Sequence, residues 1–157
     1  MNIGAVIIGD EILSGKRQDR HFNHLQSVLS DRGLELSWTI IVGDDAKQLQ
    51  RVLSYSFATD DLVFSFGGIG ATPDDRTRQS VAEVVKVPLV THPDAVAEIE
   101  AQFGDAAYPN RILMAQLPQG CQLIPNPRLI VCQAFHITTI TLCLVFLKCR
   151  GRCWNGY

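Results

Sequence analysis

Three acids follow apolar runs and sit beside glycine: Asp10 in Gly9-Asp10-Glu11, Asp44 in Gly43-Asp44-Asp45, and Asp75 at the end of Gly67-Gly68-Ile69-Gly70-Ala71-Thr72-Pro73-Asp74-Asp75. Glycine lets a backbone turn sharply and approach a ligand with no Cβ in the way, and amides ahead of a helix favour an anion. That suits a phosphate. Several carboxylates at one rim repel a phosphate unless a divalent cation lies between them, as Mg2+ does when it bridges carboxylates and phosphate oxygens. The pattern therefore points to Mg2+-assisted phosphate chemistry. A structural reading competes with it, because Asp just before a helix commonly caps that helix. For Asp10, Asp44 or Asp75 alone, capping is the more ordinary role. Recurrence after three successive strands, beside a glycine loop, is what favours a shared site.

Other chemistries fail on spacing. Between Gly9 and Gly15-Lys16 lie five residues where a Walker loop has four, and Arg17 replaces its Ser or Thr. Gly68-Ile69-Gly70 lacks the third glycine of the dinucleotide fingerprint and follows the third strand, not the first. Cys149 and Cys153 are separated by three residues and lack the second pair that a zinc site needs. His21 and His24, three apart on a helix, show no partner acid or cysteine and read as ordinary helix residues.

The acids need a scaffold that brings strand ends together. Ile3 to Ile8 is a continuous apolar, β-branched run, as in a central parallel strand covered on both faces. Phe22, Leu25, Val28 and Leu29 fall at helical spacing between Asp19 and Arg32, and Gly33 supplies a stop. Leu34 to Val42 reads as a second strand, and Ala46, Leu49, Val52 and Leu53 as the inner stripe of a second helix. Asp61 to Phe66 is a third strand and Thr77 to Val85 a third helix. Pro88 to Val90 is extended, Pro93 to Phe103 helical, and Arg111 to Ala115 one more turn. Strand and helix alternate as in an α/β, three-layer, doubly wound and mostly parallel sheet, whose sites lie beyond the carboxyl ends of its strands.

With 157 residues, 46% hydrophobic and 19% charged, the chain suits one globular domain. A net charge of −2 gives no global field for a polyanion, so nucleic acid is not an expected partner. The start has no basic n-region and its apolar run breaks at Gly9-Asp10, so it reads as a buried strand of a cytoplasmic protein and not as a signal peptide.

In order and spacing, three strings resemble a known family: Gly9-Asp10-Glu11-Ile12-Leu13-Ser14-Gly15, Val42-Gly43-Asp44-Asp45, and Gly67-Gly68-Ile69-Gly70-Ala71-Thr72-Pro73-Asp74-Asp75-Arg76-Thr77-Arg78. It is the molybdopterin-binding domain shared by molybdenum-cofactor biosynthesis proteins, gephyrin and the N-terminal domain of the competence-and-damage-inducible protein A family. The last branch is the most similar. The resemblance covers residues 1 to about 127. It implies that Gly67, Gly68 and Gly70 line a pterin-phosphate or nucleotide cleft, with Thr72, Asp74 and Thr77 adding ligand contacts, although Thr77 reads equally as a helix cap. Asp44 and Asp75 match acids implicated in transfer. Asp10, matching a first-strand acid, and Asp45 are the expected metal ligands, for Mg2+. The ligand implied is molybdopterin or a nucleotide. Members adenylylate molybdopterin, cleave ADP-ribose-type dinucleotides with a metal, or bind without established turnover, and homo-oligomers occur among them.

The chain changes character after that. All 16 acidic residues lie in residues 1–105 with 9 of the 14 Lys and Arg, so that part carries −7 and the last 52 residues +5. Four of the five cysteines crowd into the last 26 residues. Leu129 to Leu147 contains no charge and meets the length of a membrane span. Gln133, His136 and the threonines Thr138, Thr139 and Thr141 weigh against that, and no membrane partner is expected. Relatives instead continue through a Pro-Gly-Phe segment to a string like FVPGFPxMxWPM. Reading each third base of residues 129–157 with the first two bases of the next codon permits NRMPGF, YHDHY and FVPGFPEMPWPMLEW. Thr141-Leu142-Cys143-Leu144-Val145, for instance, can be ACT-TTG-TGC-CTG-GTT, whose shifted frame spells Phe-Val-Pro-Gly. Residues 128–157 thus read as the product of a frameshift, genuine or a sequencing error. The expected costs are a cleft wall and the sheet's last strand region.

Overall fold

Ile3–Ile8 forms strand β1, which has parallel neighbours on both edges and is buried at all six positions because a hydrophobic core covers each of its faces. On one side lies β2 (Trp38–Val42), on the other β3 (Leu62–Phe66). The computed structural model describes residues 2–124, 134–137 and 140–143. Helices α2 (His21–Ser30) and α3 (Ala46–Phe57) provide the crossovers that parallel strands require, and the four-residue α1 (Asp10–Leu13) caps the end of β1. After β3 come α4 (Thr77–Val85), β4 (Leu89–Thr91), α5 (Pro93–Phe103), 3-10 turns at Gly104–Ala107 and Arg111–Ala115, and short strands β5 (Gln116–Pro118) and β6 (Gln122–Ile124). Strands β7 (Ala134–Ile137) and β8 (Ile140–Cys143) follow.

The main sheet has the order β2-β1-β3-β8-β7-β6, with β4 and β5 as a separate antiparallel pair. Strand β7 runs against both of its neighbours, and β8 runs parallel to β3. The chain is thus an α/β fold with a mostly parallel sheet. Alternation along β1 sorts its side chains to two cores. Ile3, Ala5 and Ile7 pack with Phe64, Phe66 and with Leu25 and Leu29 of α2. Val6 and Ile8 pack with Leu49 and Leu53 of α3, Val81 of α4 and Ile99 of α5. Each fully buried Leu or Ile contributes about 2 kcal/mol of transfer free energy. These two cores make three layers and hold the strand ends in place.

Where the structure departs from the sequence reading, pairing partners explain it. Strand β2 begins at Trp38 and not at Leu34, because β1 offers nothing earlier to pair with: the Ser37 amide already bonds Ile3 O, and Trp38 sits in register with Gly4. A Cβ on Gly4 would lie 2.1 Å from the Trp38 ring, so glycine there makes room for the indole, whose Nε1 donates to Asp61 Oδ2 at 2.8 Å. The tail reading expects the last strand region to be lost, yet β7 and β8 pair into the sheet. Pairing is made by the backbone, and a run rich in Ile and Thr tolerates it whatever its origin. The rest of residues 128–157 lies outside the described residues, as does most of the uncharged segment 129–147. No helix among the described residues is long and apolar enough to cross a membrane.

Candidate functional site

The loops after β1, β2 and β3 open together into one cleft of about 1610 Å³. It is lined by Asp10 and Glu11, by Asp44 and Asp45, by Gly67 and Gly68, and by Thr72, Asp74 and Asp75. Acids more than 30 residues apart in sequence are therefore neighbours, as parallel strands entering from the same side require.

Asp10 and Asp44 are locked to each other. The Asp10 amide donates to Asp44 Oδ2 at 3.0 Å, and the Asp44 amide donates to Asp10 Oδ1 at 3.2 Å. A Cβ on Gly43 would lie 2.2 Å from Asp10 Oδ1, so that carboxylate can lie where it does only over a glycine. The competing reading of Asp10, Asp44 and Asp75 as caps of the helices that follow them does not match the geometry. Asp44 reaches across to the first amide of α1, and the cap of α1 itself is Gly9. Asp75 turns back to accept from the Thr72 amide at 2.8 Å and from the Thr72 hydroxyl. Asp45 is the true cap of α3, accepting from the Gln48 amide at 3.0 Å.

The glycine loop is held from behind. Thr77 is fully buried and its hydroxyl donates to Gly67 O at 3.0 Å, so its expected contact with a ligand is replaced by support of the loop. Gly70 also lies outside the cleft lining: its carbonyl accepts from Arg78 Nη2 at 2.6 Å. Arg78, only 4% exposed, donates through Nη1 to Leu113 O and to Gln116 O at 3.3 Å as well. Burial draws its pKa down, and the charge of Asp75 partly offsets this.

The cleft also contains cations the sequence reading did not place there: Arg17, Arg20, Lys47 and Arg76. His21 lines it too, and its reading as an ordinary helix residue is corrected. Its partner acid is Asp19, two residues earlier, with Nδ1 and Oδ1 2.7 Å apart. The signal was the Asp-x-His spacing at the start of α2, where a carboxylate that accepts the first helical amides also reaches the next ring. His24 is outside the lining.

Burial, together with the charges of Asp10, Glu11 and Asp75, raises the Asp44 carboxyl above its usual range, against the pull of the Asp10 amide. Such a group binds a proton more readily folded than unfolded, so its contribution to stability falls as pH rises from the ordinary carboxyl range through the raised folded value. Asp44→Asn removes that dependence and keeps an acceptor for the Asp10 amide. We expect it to melt at the same or a slightly higher temperature at neutral pH, with a flatter acid limb in a pH series of thermal melts.

Among the described residues no three His, Cys, Asp or Glu side chains form a group that could hold a metal. A closed all-protein cage therefore does not fit. A Mg2+ that takes one or two carboxylates, with phosphate oxygens and water completing its shell, would be held by the Asp10–Asp44 pair, whereas Asp45 Oδ1 is engaged as the cap of α3.

Fold and strand-end acids together define a class. A family model described as a probable molybdopterin-binding domain matches residues 4–145, and the chain belongs to that family. It is 34% identical to a putative competence-damage inducible protein of Halothermothrix orenii over 125 residues, 78% of this chain and 30% of that one. It is 35% identical to a CinA-like protein of Anaeromyxobacter over 129 residues, 80% of this chain and 32% of that one. The chain thus spans about a third of the length of these relatives. Among solved structures, the protein CinA from Thermoplasma acidophilum, described as of unknown function, superposes with a TM-score of 0.78 at 27% identity, covering 92% of this chain and 86% of that one. The molybdopterin biosynthesis enzyme MoaB of Thermus thermophilus shares the fold, at a TM-score of 0.52 and 18% identity over 92% of this chain and 79% of that one.

Proposed function

We propose that this domain binds a pterin or nucleotide through its phosphate, with a divalent cation, at the ends of β1, β2 and β3. The observation that carries this reading is the reciprocal Asp10–Asp44 lock beside Gly67 and Gly68. It presents two carboxylates at fixed positions to a cleft whose backbone a phosphate can approach closely. Asp10 and Asp44 would hold Mg2+, which neutralises phosphate charge when bound. Asp75, tied to Thr72, orients the loop that would carry the phosphate. The description of the matching family model, a probable molybdopterin-binding domain, supports pterin as one ligand class. A thermal-shift panel of molybdopterin, ADP-ribose, FAD and ATP, with and without Mg2+, tests the reading: stabilisation by at least one of them that needs Mg2+ is expected. Release of AMP from ADP-ribose would add turnover, as a metal-dependent pyrophosphatase, and adenylyl transfer to molybdopterin would show as ATP consumption dependent on the pterin.

We propose also that residues from about Arg128 onward derive from a shifted reading frame. This accounts for the four cysteines in the last 26 residues. The encoding DNA is expected to contain, one base out of phase, codons for FVPGFP and the strings around it; their absence overturns the proposal. Panel experiments on this chain and on one carrying the second-frame C-terminus separate loss of a cleft wall from loss of the site.

A further inference from the structure

Strand β2 is an edge of the main sheet: β1 pairs with one side of it, and among the described residues no strand pairs with the other. Its register fixes which groups the open side presents. Val42 O accepts from the Gly9 amide, so the backbone of Val42, Ile40 and Trp38 points toward β1, and by alternation the N–H and C=O of Thr39 and Ile41 point outward. Edge strands are commonly blunted by charge or proline. Trp38-Thr39-Ile40-Ile41-Val42 carries neither. Apolar side chains follow the same edge. Thr39 and Ile41 are in register with Ala5 and Ile7, on the α2 face, where Ile41 is 46% exposed. Beside them a groove of about 530 Å³ opens between α2 and β2, lined by Phe22, Gln26, Leu34, Leu36 and Thr39. Phe22 and Leu34 are exposed, as is Leu13, which reaches Gly43 just beyond the strand.

We propose that this edge is an interface between two copies of the chain, their β2 strands paired antiparallel about a twofold axis at Ile40. The occupant follows from the symmetry of the strand itself. Thr39 and Ile41 stand one residue either side of Ile40, so in that register Thr39 of each copy exchanges both hydrogen bonds with Ile41 of the other and no outward group is left over. Ile40 meets its twin on the axis, and Trp38 lies opposite Val42. Every cross-strand pair is then β-branched or aromatic, and none is charged. Ile41 arrives beside Thr39 of the other copy, at the mouth of the groove that Phe22 and Leu34 line, so the exposed side chain of each copy enters the hollow of the other. A foreign strand would match the backbone bonds alone; a second copy matches bonds, side-chain pairs and groove together. A five-residue strand and four exposed side chains bury less than the ~800 Å² per partner of a standard interface, so the pairing is a concentration-dependent equilibrium. Antiparallel pairing points the carboxyl ends of the two β2 strands in opposite directions, which leaves both clefts open.

Sedimentation velocity over a concentration series of the full chain and of Ile41→Lys is the test. The interface predicts a monomer–dimer equilibrium that Ile41→Lys weakens at least about tenfold, because the substitution enters twice and brings an ammonium to each groove. Register is read separately by oxidising Ile40→Cys and Ile41→Cys and sequencing the linked peptides by mass spectrometry. On the axis the Cα atoms of position 40 stand about 4.5 Å apart, within disulfide reach, so position 40 links to itself. Position 41 faces Thr39 and does not. Should Ile41→Lys lose its fold, the link at position 40 decides alone. Self-association that Ile41→Lys leaves unchanged, links made only through the native cysteines, or a monomer at every concentration up to the millimolar range overturns the proposal.

Discussion

Gly67→Ala is expected to destabilise the chain by about 3–5 kcal/mol, from a backbone clash of the overpacking kind added to the strain of a positive φ. Gly67 has φ +102°, a region that side chains other than hydrogen rarely occupy, and an added Cβ would lie 2.2 Å from Ile8 O. That oxygen belongs to the fully buried central strand, so it cannot move aside as a flexible side chain would. Relief must come from β3, whose Phe66 is in register with Ile7, or from the loop that carries Gly68 into the cleft. The loss is a large share of the ~5–15 kcal/mol that holds a typical domain folded. Urea titration of the variant is the check. A midpoint within error of the parent would show that the loop has slack this packing does not allow.

Arg78→Met is expected to cost about 3 kcal/mol, because three carbonyls lose a charged, buried donor at once. Gly70 O, Leu113 O and Gln116 O all converge on this guanidinium, which ties the glycine loop to the 3-10 turn Arg111–Ala115 and to β5. No carboxylate bonds the guanidinium among the described residues, and its Nε has no hydrogen-bond partner there. Removing the charge therefore recovers some desolvation free energy, which is why the expected cost is not larger. For a chain of this length the loss corresponds to about 6–12 °C in Tm. Arg78→Lys, which retains the charge but not the fork, should fall between the two. Thermal melts of the three proteins decide it; a Met variant as stable as the parent would mean that the carbonyls find water.

Both residues show how far sequence alone reaches. The apolar run of β1, the helix Thr77–Val85 and the Pro-led helix Pro93–Phe103 were readable because period and stop signals agree with burial. So was the recurrence of acid after each strand, since it follows from topology. What could not be read was which group serves which. Asp44 bonds an amide 34 residues away, and Arg78 bonds carbonyls 35 and 38 residues away, contacts that carry no local spacing. Thr77 read as ligand contact or cap because its hydroxyl's partner, ten residues back, is a carbonyl. Strands β5 and β6, three residues each, are too short for a two-residue period to show. The cations of the cleft escaped because Arg17, Arg20 and Lys47 look like any solvated surface until the loops close.

On the proposed function the acids and the glycine loop hold a phosphate beside a cation, and one titration addresses it. Calorimetry with ADP-ribose, in Mg2+ and in EDTA, would be run on this chain, on the chain with its second-frame C-terminus, and on Asp44→Asn in whichever binds. The account predicts binding that Mg2+ tightens about tenfold or more, a gain that Asp44→Asn abolishes without lowering Tm. Equal affinity in Mg2+ and EDTA, unchanged by Asp44→Asn, or no binding by either chain, would contradict it.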